Sequence, residues 1–386
     1  MLYLTVAASL AAVGGLLYLA FFGSRSIPEL FEKRRKDRSP EPNGAPAPSL
    51  NLEDLGQQLK KMRISAAPDL DSLDVEQLGR LGNPKLIVGN VILDGEFLSF
   101  SGISPKKVRV NWNPKVSPRV PDYVVEARRE IEEGPKQDRP RNTFKVFLDK
   151  WRPPIIDDGN FAELVTCKSD WWMRKAFNAN VDRLQSDILE GSIDLSNFPR
   201  PLDTDAVVIT SDDQLVLVHR GDAVTYQPKT WSIPGEQMDA EKDFDARTNA
   251  VNPGKTIERI LTETDELNLP QAVGDSAEIK FIALATEWDR LLANLIAMVR
   301  LPHTTSSTLR DCFLKGEHLA ISFVDFRHDQ IDRCVRLVLD GATMIIPGSS
   351  KSARLNDITR FSILAALFSK FGYLPMKERI SRHSKS

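Results

Sequence analysis

The chain has 386 residues, 41% of them hydrophobic and 27% charged, the make-up of an ordinary globular protein of about two domains. This excludes a wholly disordered or collagen-like chain and a polytopic membrane protein. Lys and Arg number 51 against 53 Asp and Glu, a net charge of −2, so no global basic excess points to nucleic acid. Cys167, Cys312 and Cys334 lie far apart with no CxxC, which excludes a disulfide framework and a cysteine-rich zinc site and suits a reducing compartment. The five histidines include no HExxH.

Leu2 to Phe22 (LYLTVAASLAAVGGLLYLAFF) carries no charge. As a helix it would span about 31 Å, enough for a bilayer core. Tyr3 and Tyr18 stand towards its ends, where interfacial aromatics are favoured. No basic n-region precedes it and the run is too long for an ordinary signal-peptide core, so a single uncleaved span is expected over residues 1–23. Arg25, Lys33, Arg34, Arg35, Lys36 and Arg38 follow it. By the positive-inside rule they put the rest of the chain in the cytoplasm, either as a simple stop-transfer flank or in contact with anionic membrane lipid. Residues 24–50 form this basic segment and a linker, Ser39 to Ser49 (SPEPNGAPAPS).

Residues 51–200 read as an α+β extension. Two short amphipathic patterns, LEDLGQQLKKM and LDVEQLGRL, predict helices. From Leu86 the pattern becomes β-like: LIVGNVIL, a turn at Asp94-Gly95, FLSFSGI, then KVRVNW. Tyr123 to Glu133 predicts a helix, and Trp171 and Trp172 introduce another, as core aromatics or as a ligand-stacking surface. Residues 201–330 begin with a hairpin, DAVVIT and QLVLVHRG around Ser211-Asp212-Asp213. TWSIPGE is a short strand entering a turn, and an acid-rich stretch runs from Gln237 to Pro253. Gly254 to Leu267 has apolar residues at Ile257, Ile260, Leu261 and Leu267, a helical spacing. Ile279 to Trp288 and Asn294 to Leu301 predict a second strand pair, His318 to Phe326 a strand, and Gln330 to Leu339 a helix. Residues 331–386 add C-terminal helices. The longest, Ser352 to Phe371, buries Ile358, Phe361, Leu364, Ala365 and Phe368 against the body.

Three pieces stand in a telling order: a strand ending in His219-Arg220, then Trp231-Ser232-Ile233-Pro234-Gly235-Glu236, then a helix carrying Arg259, Leu261, Glu263 and Leu267. Together they resemble the Nudix superfamily, with its W-x-[LIF]-P-G-G turn and its box G-x5-E-x7-R-E-U-x-E-E-x-G-U, where U is aliphatic. The resemblance covers about Asp205 to Leu301. With Leu267 on the last aliphatic position, Arg259 falls on the Arg and Glu263 on the first Glu of the pair. Ile260, Thr264 and Glu266 then replace the single Glu, the second Glu and the glycine, and Glu236 replaces the second turn glycine. A shift by one residue keeps Glu263 on the second Glu. Both registers lose at least two metal-binding carboxylates.

The resemblance implies an α/β fold: a Nudix-like α/β/α sandwich with a mixed sheet, to which the extension and the membrane helix are added. It also implies a ligand with a nucleotide or nucleoside-diphosphate-like moiety. Such a box works through Mg²⁺, which neutralises phosphates and activates water and needs carboxylates converging from a rigid helix. The candidate residues are Glu263 and Arg259 for catalysis, Glu263 and Glu236 for Mg²⁺, and Arg220, Glu236 and Glu287 for the ligand. The degenerate box on a membrane anchor points to a sensing or regulatory protein. A Mg²⁺-dependent pyrophosphohydrolase and a protein-interaction scaffold are the alternatives, and nothing in the sequence speaks against a homo-oligomer.

Overall fold

The computed structural model describes residues 62–383 except 65, 83, 85, 136–140, 156–160, 223, 225 and 340–342, and only the backbone of residues 94–101, 152–155 and 161. The expected membrane span, basic flank, linker and first amphipathic pattern lie outside the described residues. Among the described residues no helix is long and apolar enough to cross a membrane.

The extension opens with β1 (Met62–Ile64), β2 (Leu86–Val88), β3 (Val91–Ile103) and β4 (Val108–Asn113), followed by α1 (Asp122–Glu133). Then come β5 (Phe144–Ile155), β6 (Phe161–Asp170), α2 (Trp171–Ala179) and α3 (Val181–Leu189). Next are β7 (Arg200–Ile209), β8 (Gln214–Arg220), β9 (Trp231–Ser232), β10 (Gly235–Gln237), a small hairpin of β11 (Phe244–Asp245) and β12 (Ala250–Val251), and α4 (Pro253–Thr262). The chain continues through β13 (Glu278–Glu287), β14 (Leu292–Arg300), β15 (His318–Asp325), α5 (Asp332–Leu339), α6 (Asp357–Phe371) and α7 (Tyr373–His383).

One sheet runs β1-β2-β3-β13-β14-β7-β5-β6-β4, with β10 on β7 and β15 and β9 on β8. It is mixed: β14 lies parallel to β7, whereas β13 is antiparallel to both β14 and β3. The extension therefore joins the central strands at two places, β3 against β13 and β5 against β7.

Alternation along the strands fills two cores. Val207, Ile209, Leu215 and Leu217 face one side, with α5 and α6; Ala206, Val208, Val216 and Val218 face the other, with α4. Helices on both faces of a mixed sheet are the expected α/β/α arrangement. A third core lies in the extension, where Phe147, Phe177 and Phe198 pack with Ile188 and Leu291.

Three expectations are corrected, one of them the C-terminal helix, which begins at Asp357 and not at Ser352, because Ser352–Arg354 pairs as a strand with Thr343–Ile345. The turn falls at Gly89-Asn90, and β3 runs unbroken through Asp94-Gly95. Gly89 has φ 58°, and a Cβ there would collide with the Asp357 carboxylate, which accepts the Asn90 amide at 3.1 Å. Asp94-Gly95 instead falls where the register of β3 on β13 shifts, between Leu93 and Leu98. The third correction is the helix after Gly254. α4 ends at Thr262, with Glu263 as its cap in an extended conformation (ψ 144°). The chain then folds back, Leu267 donating to the Ile260 carbonyl and Leu269 to that of Leu261. Leu267 is buried as the pattern required, but on a loop.

Candidate functional site

The turn that carries the resemblance is firmly seated. Trp231 is fully buried and its indole donates to the Met344 carbonyl at 3.1 Å. Thr359 on α6 receives the Ile233 amide at 2.9 Å. Gly235 then passes so close to β7 that a Cβ would stand 2.3 Å from Asp205 Oδ1, which accounts for the glycine. This seating delivers Glu236 to a cleft of about 260 Å³.

Arg220 at the end of β8, Glu236 on β10 and Glu287 at the end of β13 all line this cleft, so three of the sequence candidates meet there. The extension supplies another wall, with Lys145 from β5 and Trp171 and Arg174 from α2. Trp171 is half-buried, with Lys145, Arg174 and Lys175 at 5.9, 5.8 and 5.3 Å from its ring centroid.

Several cleft residues were not assigned a role from the sequence, among them Asp203, Asp205 and Glu266. Asp203 and Asp205 lie two apart on β7, and Glu266 sits in the fold-back after α4. Period-two alternation in DTDAVV could have paired the two aspartates on one face. No local signal marked Glu266 as buried, because its partner His318 lies 52 residues further along the chain.

The charges of the cleft divide into pairs and loose ends. Arg174 grips Asp203 through two hydrogen bonds, at 2.7 and 3.2 Å. Arg290 meets Glu287 at 3.4 Å, and Asn294 donates to the same carboxylate oxygen at 3.2 Å. Among the described residues Arg220 has one ion-pair partner, Glu317 at 4.0 Å, and its buried Nε has no hydrogen-bond partner. Burial, with Glu287 and Asp203 nearby, pushes the Asp205 carboxyl well above its ordinary range. Burial does the same to Glu266, and it lowers its partner His318 to about 4. Their contact of 3.0 Å has the length of an ion pair, but both shifts favour a neutral acid beside a neutral imidazole. Glu236 is raised to about 7, burial outweighing the attraction of Arg259. A carboxyl kept neutral can donate a hydrogen bond where a carboxylate would repel an anion.

Arg259 and Glu263 do not line the cleft. Arg259 stands behind Glu236. Its Nε and Nη2 reach the two oxygens of Asp243 at 2.7 and 3.0 Å, and Nη2 also donates to the Gln237 carbonyl at 3.0 Å. Its Nη1 lies 3.6 Å from Glu236 Oε2 and 3.5 Å from Glu263 Oε2. Glu263 is also bound by Lys242 Nζ at 3.0 Å. Asp243, fully buried in the acid-rich stretch, further accepts from the Thr256 hydroxyl and the Asp239 amide. The two carboxylates assigned to Mg²⁺ are thus both turned to one guanidinium. Among the described residues no three His, Cys, Asp or Glu side chains stand together so as to hold a metal ion. The side chains present do not fit the implied Mg²⁺.

No family model and no curated protein matches the chain. Among solved structures it is similar to a bifunctional NMN adenylyltransferase/ADP ribose pyrophosphatase of Francisella tularensis complexed with AMP and a manganese ion. That match has 13% identity and a TM-score of 0.28, and it covers 52% of this chain and 49% of the other. The chain therefore spans about half the length of that protein. It is also similar to a MutT protein of Methanosarcina mazei Go1, at 12% identity and a TM-score of 0.24, covering 48% of this chain and 96% of that one. A Nudix hydrolase of Nitrosomonas europaea matches at 12% identity and a TM-score of 0.24, covering 46% and 95%. These likenesses are too slight to carry the architecture, which rests on the sheet and the two helical layers described above.

Proposed function

We propose that this is a Nudix-like protein whose cleft binds a nucleotide or nucleoside-diphosphate-type ligand in a sensing or regulatory role, without hydrolysing it, on a body held to the cytoplasmic face of a membrane by residues 2–22. The observation that carries the binding is Arg220. It is a mostly buried guanidinium in a cleft, which among the described residues has an unmet donor and an ion-pair partner no nearer than 4.0 Å, while Arg174 and Arg290, which line the same cleft, are paired. An anion such as a diphosphate supplies what Arg220 lacks. The raised carboxyls of Asp205, Glu236 and Glu266 lessen the repulsion that so acid-rich a cleft would otherwise exert. The missing box carboxylates, and the engagement of Glu236 and Glu263 with Arg259, argue for binding over turnover.

Binding is measured by isothermal titration of the chain with ADP and with inorganic pyrophosphate, with and without Mg²⁺, alongside product analysis. The expected result is binding without products, weakened roughly 10- to 100-fold by Arg220→Ala, as suits the loss of a charged hydrogen bond. Mg²⁺-dependent product release favours the hydrolase, and no binding favours the scaffold. The anchor is checked by carbonate extraction of membranes from expressing cells: full-length chain in the soluble fraction would overturn it.

A further inference from the structure

The end of the sheet divides the cleft in two. On β7, Ala206 and Val208 face α4 while Val207 and Ile209 face α6, so by alternation Asp203 and Asp205 lie on the α6 side. β10 pairs with β7 so that Gly235 stands opposite Asp205, Glu236 opposite Thr204 and Gln237 opposite Asp203. Gln237 therefore shares the face of the two aspartates, and Glu236 takes the other, where it meets Arg259 of α4. Arg220 follows Val216 and Val218 onto the α4 face as well. The cleft thus has an anion-binding half at Arg220 and a second half, on the α6 side, that a diphosphate alone leaves unused. We propose that this second half is a nucleobase subsite: the extension supplies Trp171 as its stacking surface, Asp205 and Gln237 read the edge of the base, and the ligand is a nucleoside diphosphate lying across the end of the sheet.

This rests on the reading of Arg220 as the diphosphate contact. Trp171 is placed on the α6 side by Arg174, which lies 5.8 Å from its ring centroid and grips Asp203 at 2.7 Å. The start of α2 is held firmly. The Trp171 amide donates to the Thr143 carbonyl at 2.9 Å, and Asp170 caps the helix by accepting from the Met173 amide at 2.7 Å. Arg128 holds the same Asp170 carboxylate at 2.6 Å. A large aromatic fixed in this way, yet left half-buried on the wall of a cleft, offers its face to a flat partner.

Asp205 is 7% exposed, and among the described residues its Oδ2 has no hydrogen-bond partner. The same holds for the buried Nε2 of Gln237. An unmet buried donor or acceptor is costly to keep, so each asks for a partner that the described residues do not provide. Burial keeps the Asp205 carboxyl above its ordinary range, and in that form it offers an O–H as well as an accepting oxygen. Gln237 adds an N–H. A base presents donors and acceptors along its edge and apolar π faces above and below, which suits an aromatic wall beside unmet polar groups. A lipid tail would leave Asp205 and Gln237 bare, and inorganic pyrophosphate would leave Trp171 uncovered.

The test is isothermal titration of the full chain in detergent with ADP, GDP, UDP and inorganic pyrophosphate. At least one of the three nucleotides should bind roughly tenfold more tightly than pyrophosphate, the share of a stacked base. Trp171→Leu keeps apolar bulk but removes the π face. It should abolish that margin and leave pyrophosphate affinity unchanged, which also shows the variant to be folded. Trp171→Phe keeps a ring and should retain most of the margin. Asp205→Asn exchanges an oxygen for an amide nitrogen and should alter the ratio of the tightest to the weakest nucleotide by roughly fivefold. The proposal is overturned if no nucleotide outbinds pyrophosphate, or if Trp171→Leu weakens pyrophosphate as much as the nucleotides. It is equally overturned if Trp171→Phe is as weak as Trp171→Leu, or if Asp205→Asn leaves the ratio as it was. Failure of the Arg220 reading looks different: pyrophosphate does not bind wild type, and Arg220→Ala weakens no ligand. In that case nucleotides that bind wild type but not Trp171→Leu still support the base subsite, and nucleotides that do not bind overturn it as well.

Discussion

Arg259 and Arg220 belong to the same charged region, and their side chains are 12% and 18% exposed. Around Arg259, Nε and Nη2 are hydrogen-bonded to Asp243 and the Gln237 carbonyl, and Nη1 lies 3.5 and 3.6 Å from the carboxyls of Glu263 and Glu236. Around Arg220, among the described residues, one carboxylate stands at 4.0 Å and the Nε donor has no partner. Burial is similar; what differs is how many acceptors the fold brings up. A saturated arginine holds segments together, while an arginine left short of acceptors inside a cleft is a place for something else to dock.

The contrast can be broken most forcefully at Asp243. Asp243→Ala removes the acceptor of four donors and leaves part of the Arg259 charge uncompensated, so it should destabilise by about 3–5 kcal/mol. Chemical denaturation measures this; a loss below about 1 kcal/mol would show that Arg259 is not locked.

The next effect concerns Glu236, between the two arginines. Its carboxyl has an ordinary value of 4.5 and stands at about 7 in the folded chain. Between these pH values the folded state holds a proton that the unfolded chain has released. Its stability contribution therefore falls as pH rises from about 4.5 to 7 and is level above, by on the order of 3 kcal/mol. Glu236→Gln should remove that slope, measured as the difference in denaturation midpoint between variant and wild type across the window. Parallel profiles would show that Glu236 titrates normally.

The smallest effect is on the other side of the comparison. Arg220→Ala should cost less than about 1 kcal/mol in the same denaturation, because its acid partner is distant and exposed. A loss as large as that of Asp243→Ala would make Arg220 a structural residue too.

Much of the architecture was legible because it is local. Alternation in VVIT and LVLV set the two faces of β7 and β8, and the 3.6 spacing of Ile257, Ile260 and Leu261 set the buried stripe of α4. The Trp-Ser-Ile-Pro-Gly-Glu turn pointed to the cleft before any geometry was known. What stayed hidden is long-range. Gly89 became the turn in place of Gly95 because Asp357, far along the chain, anchors Asn90. α4 stops at Thr262 although the apolar spacing continues, since Leu267 and Leu269 reach the same core by folding back. Glu266 turned inward only because His318 waits there. Asp243 finds Arg259 across a hairpin whose path no periodicity encodes.

The stitching of the extension onto both sides of the central strands sets an order of events. β3 ends at residue 103, but its partner β13 begins at residue 278. At 5–20 residues per second a ribosome needs roughly 10–35 s to make the chain between them. Through that interval β3 has its hydrogen-bonding edge towards β13 unmatched and its apolar residues uncovered, the state in which strands seek foreign partners. Pairings this distant in sequence are also slow to form once both halves exist. The nascent chain therefore depends on being shielded until its last third has emerged, and production at low temperature or with abundant chaperones should favour soluble protein over inclusion bodies.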